Sequence, residues 1–316
     1  MNTRIKFGKY KNQTYEYVMK KDIKYCEWIL TQNTSYQSMI DFQKFLKENS
    51  EDILRNILKN NNSIKCSDLS QYMKYDKNII NLIKDYKITI YEISNEITIE
   101  EYSLPDNIIG IFYDYFIRYV ICKKKKIEFN DNRANFILNC ENITIDNKDI
   151  YNSYNNMKQN KATNQDILNV SISHSIFFGE VSALEYINHN DIISKKEHKN
   201  INKWIDKKIL NKDIILCNPT LGDTKLKISA DADLIIEDEL IDIKTSKYNK
   251  IGNNITDFIQ LFVYASLYYN KKKIYINKIT IFNPLYLMEY SIEINNDIIH
   301  KILDILTNYN IGGNII

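Results

Sequence analysis

The sequence predicts an α/β domain with a mixed central sheet flanked by helices, preceded by a small helix-rich module. Three features predict it. Between residues 214 and 245 the apolar residues fall into short, β-branched runs of strand length. Helical patterns stand before those runs, and a helix followed by two further strands stands after them. The polar cluster Asn60-Asn61-Asn62-Ser63 separates the leading unit from the rest, giving a module over 1–60 and a main domain over 64–316.

The elements follow in order. A short basic segment, residues 4–15, leads into helical stretches at 25–30 and 39–58, the second striped by Phe42, Leu46, Ile53, Leu54 and Ile57. Residues 88–97 alternate as a strand does. Ser103-Leu104-Pro105-Asp106 starts an apolar helix over 108–121, and the run Lys123–Lys126 suits its C-terminal dipole. Residues 128–161 are Asn-rich and without a clear period. Helices are expected at 176–187 and 197–209, then strands at 214–217, 226–236 and 240–245. A helix at 256–269, strands at 278–282 and 288–292, and a closing helix at 296–308 complete the chain.

Composition sets the class. The chain has 316 residues, 44% hydrophobic and 26% charged, an ordinary balance for a globular protein. Its formal charge of +2 announces no nucleic-acid binder, so any such surface must be local. Cys26, Cys66, Cys122, Cys140 and Cys217 are odd in number and scattered, which argues for reduced thiols rather than a disulfide frame or zinc site. His174, His189, His198 and His300 show no ligand spacing. No signal-peptide run opens the chain and no window reaches membrane-span length, so a soluble, intracellular protein is expected, with no membrane partner.

The chemistry concentrates in two runs, 228–236 and 240–246, joined at Glu237-Asp238. A period of two puts Leu240, Asp242 and Lys244 on one strand face and Ile241 and Ile243 on the other. In the preceding strand Asp231 and Asp233 share a face, and Leu234 and Ile236 point away. A turn with an even number of residues sets Asp233 across from Asp242 and Leu234 across from Ile241; an odd one mixes the faces. The hydrophobic pattern favours the even register, which gathers the carboxylates beside Lys244. Paired carboxylates repel unless a cation lies between them, and oxygen ligands suit Mg²⁺ or Mn²⁺. The competing reading is a surface hairpin with solvated charges, against which stand the flanking β-branched residues.

Asp233-x8-Asp242-Ile243-Lys244 resembles the second and third motifs of the PD-(D/E)XK nuclease superfamily. Gln260-Leu261-Phe262-Val263-Tyr264, on the following helix, resembles the Gln-x-x-x-Tyr motif of its RecB-like branch. The resemblance implies a restriction-endonuclease-like fold and metal-dependent hydrolysis of DNA phosphodiester bonds in repair, recombination or replication. Asp233 and Asp242 are then metal ligands, Lys244 orients water or stabilises charge, and Gln260 and Tyr264 support the substrate. A third ligand is expected from an upstream helix, either Glu180 or Asp114; an intrahelical pair with Arg118 also explains Asp114. No cysteine follows Cys217, so an iron–sulfur cluster is not expected.

The segment from Lys6 to Tyr15, with Asp22, Tyr25, Cys26, Trp28 and Ile29, resembles the small C-terminal module of exodeoxyribonuclease X-type proteins. Its basic residues interleaved with aromatics suit phosphate contact and base stacking, with Lys9, Lys11 and Tyr10 as candidate nucleic-acid contacts. Trp28 is expected in the module's core and Lys9 and Lys11 at its surface. The competing function is a catalytically inactive protein that binds nucleic acid or a partner on a nuclease scaffold. Endonuclease and exonuclease action, DNA and RNA, and oligomeric state are not distinguished by these residues.

Overall fold

The computed structural model describes residues 3–49, 63–93, 104–129, 131, 148–177, 195–245 and 255–311. Glu180 and the expected helix beyond Phe177 lie outside them. Among the described residues the helices are α1 (Tyr15–Lys21), α2 (Ile23–Thr31), α3 (Gln37–Glu48), α4 (Cys66–Met73), α5 (Lys77–Ile83), α6 (Asp106–Lys125), α7 (Lys148–Lys158), α8 (Asn164–Phe177), α9 (Lys195–Ile209), α10 (Ile255–Lys272) and α11 (Asn296–Ile311). The strands are β1 (Ile64–Lys65), β2 (Thr89–Glu92), β3 (Ile215–Cys217), β4 (Ile228–Ser229), β5 (Leu234–Ile236), β6 (Glu239–Ile243), β7 (Lys278–Asn283) and β8 (Met288–Glu293).

Local chemistry fixes the helix starts. Thr14 accepts from the Tyr17 N–H at the head of α1, and Asp22 from Tyr25 at the head of α2. Asp166 and Thr163 exchange hydrogen bonds around the first turn of α8. At the far end of α6, Lys126 takes a left-handed conformation, and three lysines occupy the last turn against the exposed carbonyls.

Six strands form one mixed sheet in the order β2-β8-β7-β6-β5-β3. Within this sheet, among the described residues, only β6 and β7 pair in parallel, and α10 makes the crossover that a parallel pair requires. Helices cover both faces. Ile235, Leu240, Ile279, Ile281, Tyr290 and Ile292 pack with α4, α10 and α11 on one side. Leu234, Ile236, Ile241, Ile243 and Phe282 pack with α6, α8 and α9 on the other. Burial on both faces accounts for strands that read as nearly unbroken aliphatic runs. On the second face the Trp204 indole of α9 stacks on Phe282, centroids 3.8 Å apart, and donates to the Glu289 carboxylate. Lys208, one turn on, reaches Glu239 at 2.8 Å and Glu289 at 3.2 Å. Among the described residues no helix is long and apolar enough to cross a membrane.

Two expectations are corrected. The strand foreseen over 226–236 is broken, because its halves have different partners: Ile228–Ser229 pairs in parallel with Ile64–Lys65, and Leu234–Ile236 joins the main sheet. The Trp28 side chain, expected in a core, is 49% exposed; Ile29, fully buried, takes the inward position instead. Five helices have no counterpart in the sequence reading: α1, α4, α5, α7 and all but the last two residues of α8.

Candidate functional site

The turn between β5 and β6 holds two residues, Glu237 and Asp238, and Glu237 carries the positive φ of 54° that so tight a reversal needs. Leu234 therefore pairs with Ile241, Ile235 with Leu240, and Ile236 with Glu239. That register sends Leu234, Ile236, Ile241 and Ile243 to one core and leaves Asp242 and Lys244 on the face that α10 covers.

Asp242 is 4% exposed. The ammonium of Lys244 lies 2.9 Å from its Oδ2, yet that oxygen makes no hydrogen bond of ordinary geometry. Burial opposes the charge on Lys244, but Asp242 and then Asp233 outweigh it and hold the group above the usual lysine range. A third of the Lys244 side chain still reaches solvent. Lys244 is thus a fixed cation at the mouth of the site, suited to hold a phosphate oxygen or a water and unsuited to take up a proton.

Asp233 lies where the chain leaves the β5 ladder. Its backbone carbonyl accepts from Asn218 at 2.8 Å, and its carboxylate accepts from the Ile243 N–H at 2.7 Å, which ties it to β6 just past Asp242. Burial, then the negative charges of Asp114 and Asp242, pushes its pKa well above the ordinary carboxyl range. Asp233 thus senses the face that carries Asp242 and Lys244 and also the helix that carries Asp114.

From α10, Gln260 donates to the Tyr264 hydroxyl at 2.7 Å, one helical turn apart, both side chains buried. Burial, followed by charge on Cys66 and Asp242, raises the Tyr264 phenol, so it remains a hydroxyl donor. Cys66, which opens α4, was not foreseen. Its thiol sits against the Gln260 carbonyl, and burial and then Asp242 raise its pKa. A buried thiol far from the motifs in sequence gave no pattern to find it by.

Asp114 reaches the site from α6. This helix crosses close to the end of β6: a Cβ on Gly110 would stand 2.9 Å from the Thr245 hydroxyl. Arg118 grips Asp114 through Nε and Nη2, at 2.7 and 2.5 Å, and reaches Asp131 with Nη1 at 2.7 Å. The intrahelical pair read from the sequence is therefore present, and Asp131 joins it from a segment where sequence periodicity was unreadable. Tyr115 and Asn218 donate to the Asp131 carboxylate, and Tyr115 also meets Nδ1 of His174. Nearby, the thiols of Cys122 and Cys217 approach to 3.8 Å.

The structure thus brings Asp233, Asp242, Lys244, Gln260, Tyr264 and Asp114 to one end of the sheet. Lys9, Lys11 and Tyr10 lie in the N-terminal module. Among the described residues no three His, Cys, Asp or Glu side chains are close enough to form a ready metal-ligand group. The electrostatics nevertheless fit a divalent cation. Asp233 feels two neighbouring carboxylates, and the buried Asp242 Oδ2 is met only by the Lys244 ammonium, without a hydrogen bond of ordinary geometry.

Comparison with known proteins found no matching family model, no matching curated protein and no matching solved structure. The motif residues and their placement in the sheet carry the functional reading.

Proposed function

We propose that this protein is a Mg²⁺- or Mn²⁺-dependent nuclease that hydrolyses DNA phosphodiester bonds, built on a restriction-endonuclease-like domain. The observation that carries the reading is the two-residue turn, whose register puts Asp233 beside the Asp242–Lys244 face under Gln260 and Tyr264. Asp233 and Asp242 would hold the cation, with Asp114 as the nearest further carboxylate. The cation supplies charge neutralisation at the phosphate and an acidified water. Lys244 stays protonated and stabilises the charge that develops on the phosphate oxygens. The Gln260–Tyr264 pair fixes a hydroxyl donor beside Asp242 and keeps the floor of the site closed to bulk water.

One observation favours the inactive-scaffold alternative: both Asp114 oxygens are taken by Arg118, which leaves two carboxylates for a cation. Cleavage of circular and linear DNA with Mg²⁺ or Mn²⁺ separates the readings. The nuclease reading expects cleavage that Asp242→Ala and Lys244→Ala each reduce by about a hundredfold or more, the scale of losing one charge-stabilising group. DNA binding without cleavage in either metal would establish the alternative. The two DNA forms also distinguish endonuclease from exonuclease action.

A further inference from the structure

The N-terminal module displays an aromatic surface that the nuclease site does not use. Trp28 and Tyr36 are each 49% exposed, although both ring systems are large enough to be worth burying. The rings around them fall into two groups. Tyr36 meets Phe7 edge-on at 5.8 Å, Trp28 lies 5.6 Å from Tyr25, and Tyr25 lies 5.0 Å from Tyr10. Gly8, next to Phe7 in the chain, brings the first group against the Tyr25 hydroxyl of the second. Its φ is +61°, and a Cβ there would come within 2.6 Å of the Tyr25 hydroxyl, so this close approach favours glycine.

Positive charge surrounds these rings. Residues 1–36 hold seven Lys or Arg against three Asp or Glu, an excess of four, whereas the whole chain carries only +2. The Lys9 ammonium lies 4.9 Å from the centre of the Tyr10 ring and 5.4 Å from that of Tyr25, at the edge of the same surface. Lys9 and Tyr10 both hold Asp22, at 2.7 and 2.8 Å, and Asp22 caps α2, the helix that carries Trp28. The base of the surface is therefore rigid. Arg4, Lys6 and Lys11, on the same N-terminal segment as Phe7, Lys9 and Tyr10, are exposed.

We propose that Trp28 and Tyr36 are the two ends of a stacking platform for the unpaired bases of single-stranded nucleic acid, with Lys6, Lys9 and Lys11 beside its phosphates. Aromatic faces attract any base whose own face is free, and lysines at the rim add a sequence-independent contact. A duplex hides its base faces, so the surface selects single strands or frayed ends. The choice of occupant rests on the nuclease reading; the binding itself does not depend on catalysis.

The chain has two tryptophans, and Trp204 is buried. Trp28 is therefore the tryptophan that solvent quenchers and ligands can reach. The test uses the full chain carrying Asp242→Ala, in EDTA, titrated with a short oligothymidylate and with a duplex of equal length. The oligothymidylate is expected to quench Trp28 emission and the duplex to bind more weakly. Trp28→Ala and, separately, Tyr36→Ala are each expected to weaken oligothymidylate binding about tenfold, the scale of one lost stack. Lys11→Gln is expected to flatten the dependence of binding on salt.

Emission that does not respond to the oligonucleotide, or undiminished binding by both folded aromatic variants, overturns the proposal and assigns the surface to a protein partner. The two readings fail separately. Wild-type cleavage with an inert Trp28 removes the platform and leaves the nuclease. Platform binding without cleavage in Mg²⁺ or Mn²⁺ does the reverse.

Discussion

Arg118 holds its charge at 2% exposure between Asp114, 20% exposed, and Asp131, 1% exposed. Burial opposes that charge, and the two carboxylates outweigh the opposition. The planar guanidinium satisfies both partners at once, a geometry that lysine cannot copy. Arg118→Met keeps the volume but leaves a fully buried carboxylate uncompensated. It is expected to destabilise the protein by about 3–5 kcal/mol in urea unfolding, and adding Asp131→Asn should recover part of the loss. A single variant as stable as the parent would show that the Asp131 contact contributes little. The same guanidinium holds both oxygens of Asp114, whose charge acts on Asp233, so fold and candidate site share this residue.

At the scale of elements, the β5–β6 hairpin decides everything near the site through the parity of its turn. Inserting one glycine between Glu237 and Asp238 moves Leu234 and Ile236 to the wrong face, each side chain worth roughly 1.5–3 kcal/mol when buried. Inserting two preserves the pairing and lengthens the loop. The single insertion is expected to abolish the cooperative melt by circular dichroism, and the double insertion to keep it. Equal melts for both would mean that a bulge absorbs the extra residue and that parity does not govern the register.

This hairpin was readable in the sequence because aliphatic alternation and a short acidic turn are both local signals. The same holds for α6 and α10, long apolar helices with charged ends. Helix α8 was not readable, because Ser171, Ser173, His174 and Ser175 are buried along with its aliphatics and no stripe results. The break between β4 and β5 was hidden for a different reason: Ala230 to Asp233 look like strand, and only the change of pairing partner interrupts them. The residues proposed for the site, from Asp233 to Tyr264, stand close together in the sequence as a local pattern. Their surroundings, Cys66 against Gln260 and Asp131 on Arg118, were not legible, because contacts across long stretches of chain leave no periodic trace. Trp28 was misassigned because its neighbour Ile29 occupies the inward position.

Across the whole molecule, the sheet holds β6 at its interior and gathers the site from segments on either side of it. Cys66, Asp114, Asp242 and Tyr264 come from four different elements, and Asp233 from the segment just before β5. The parallel pairing of β6 with β7 forms only after α10 has crossed over, so the assembly waits for contacts between distant parts of the chain. The stack of Trp204 on Phe282 belongs to the same late event, because Phe282 lies on β7. In a Trp28→Phe background the one remaining indole becomes a clock for the closing of the central layer. Stopped-flow refolding followed by Trp204 emission, sampled alongside recovery of the proposed DNA cleavage, should show that cleavage appearing with the signal or after it. Activity that appears earlier would mean the site can assemble before the layer closes. On the proposed nuclease reading, the chain is harmless to nucleic acid while it is still folding, for an interval set by its topology.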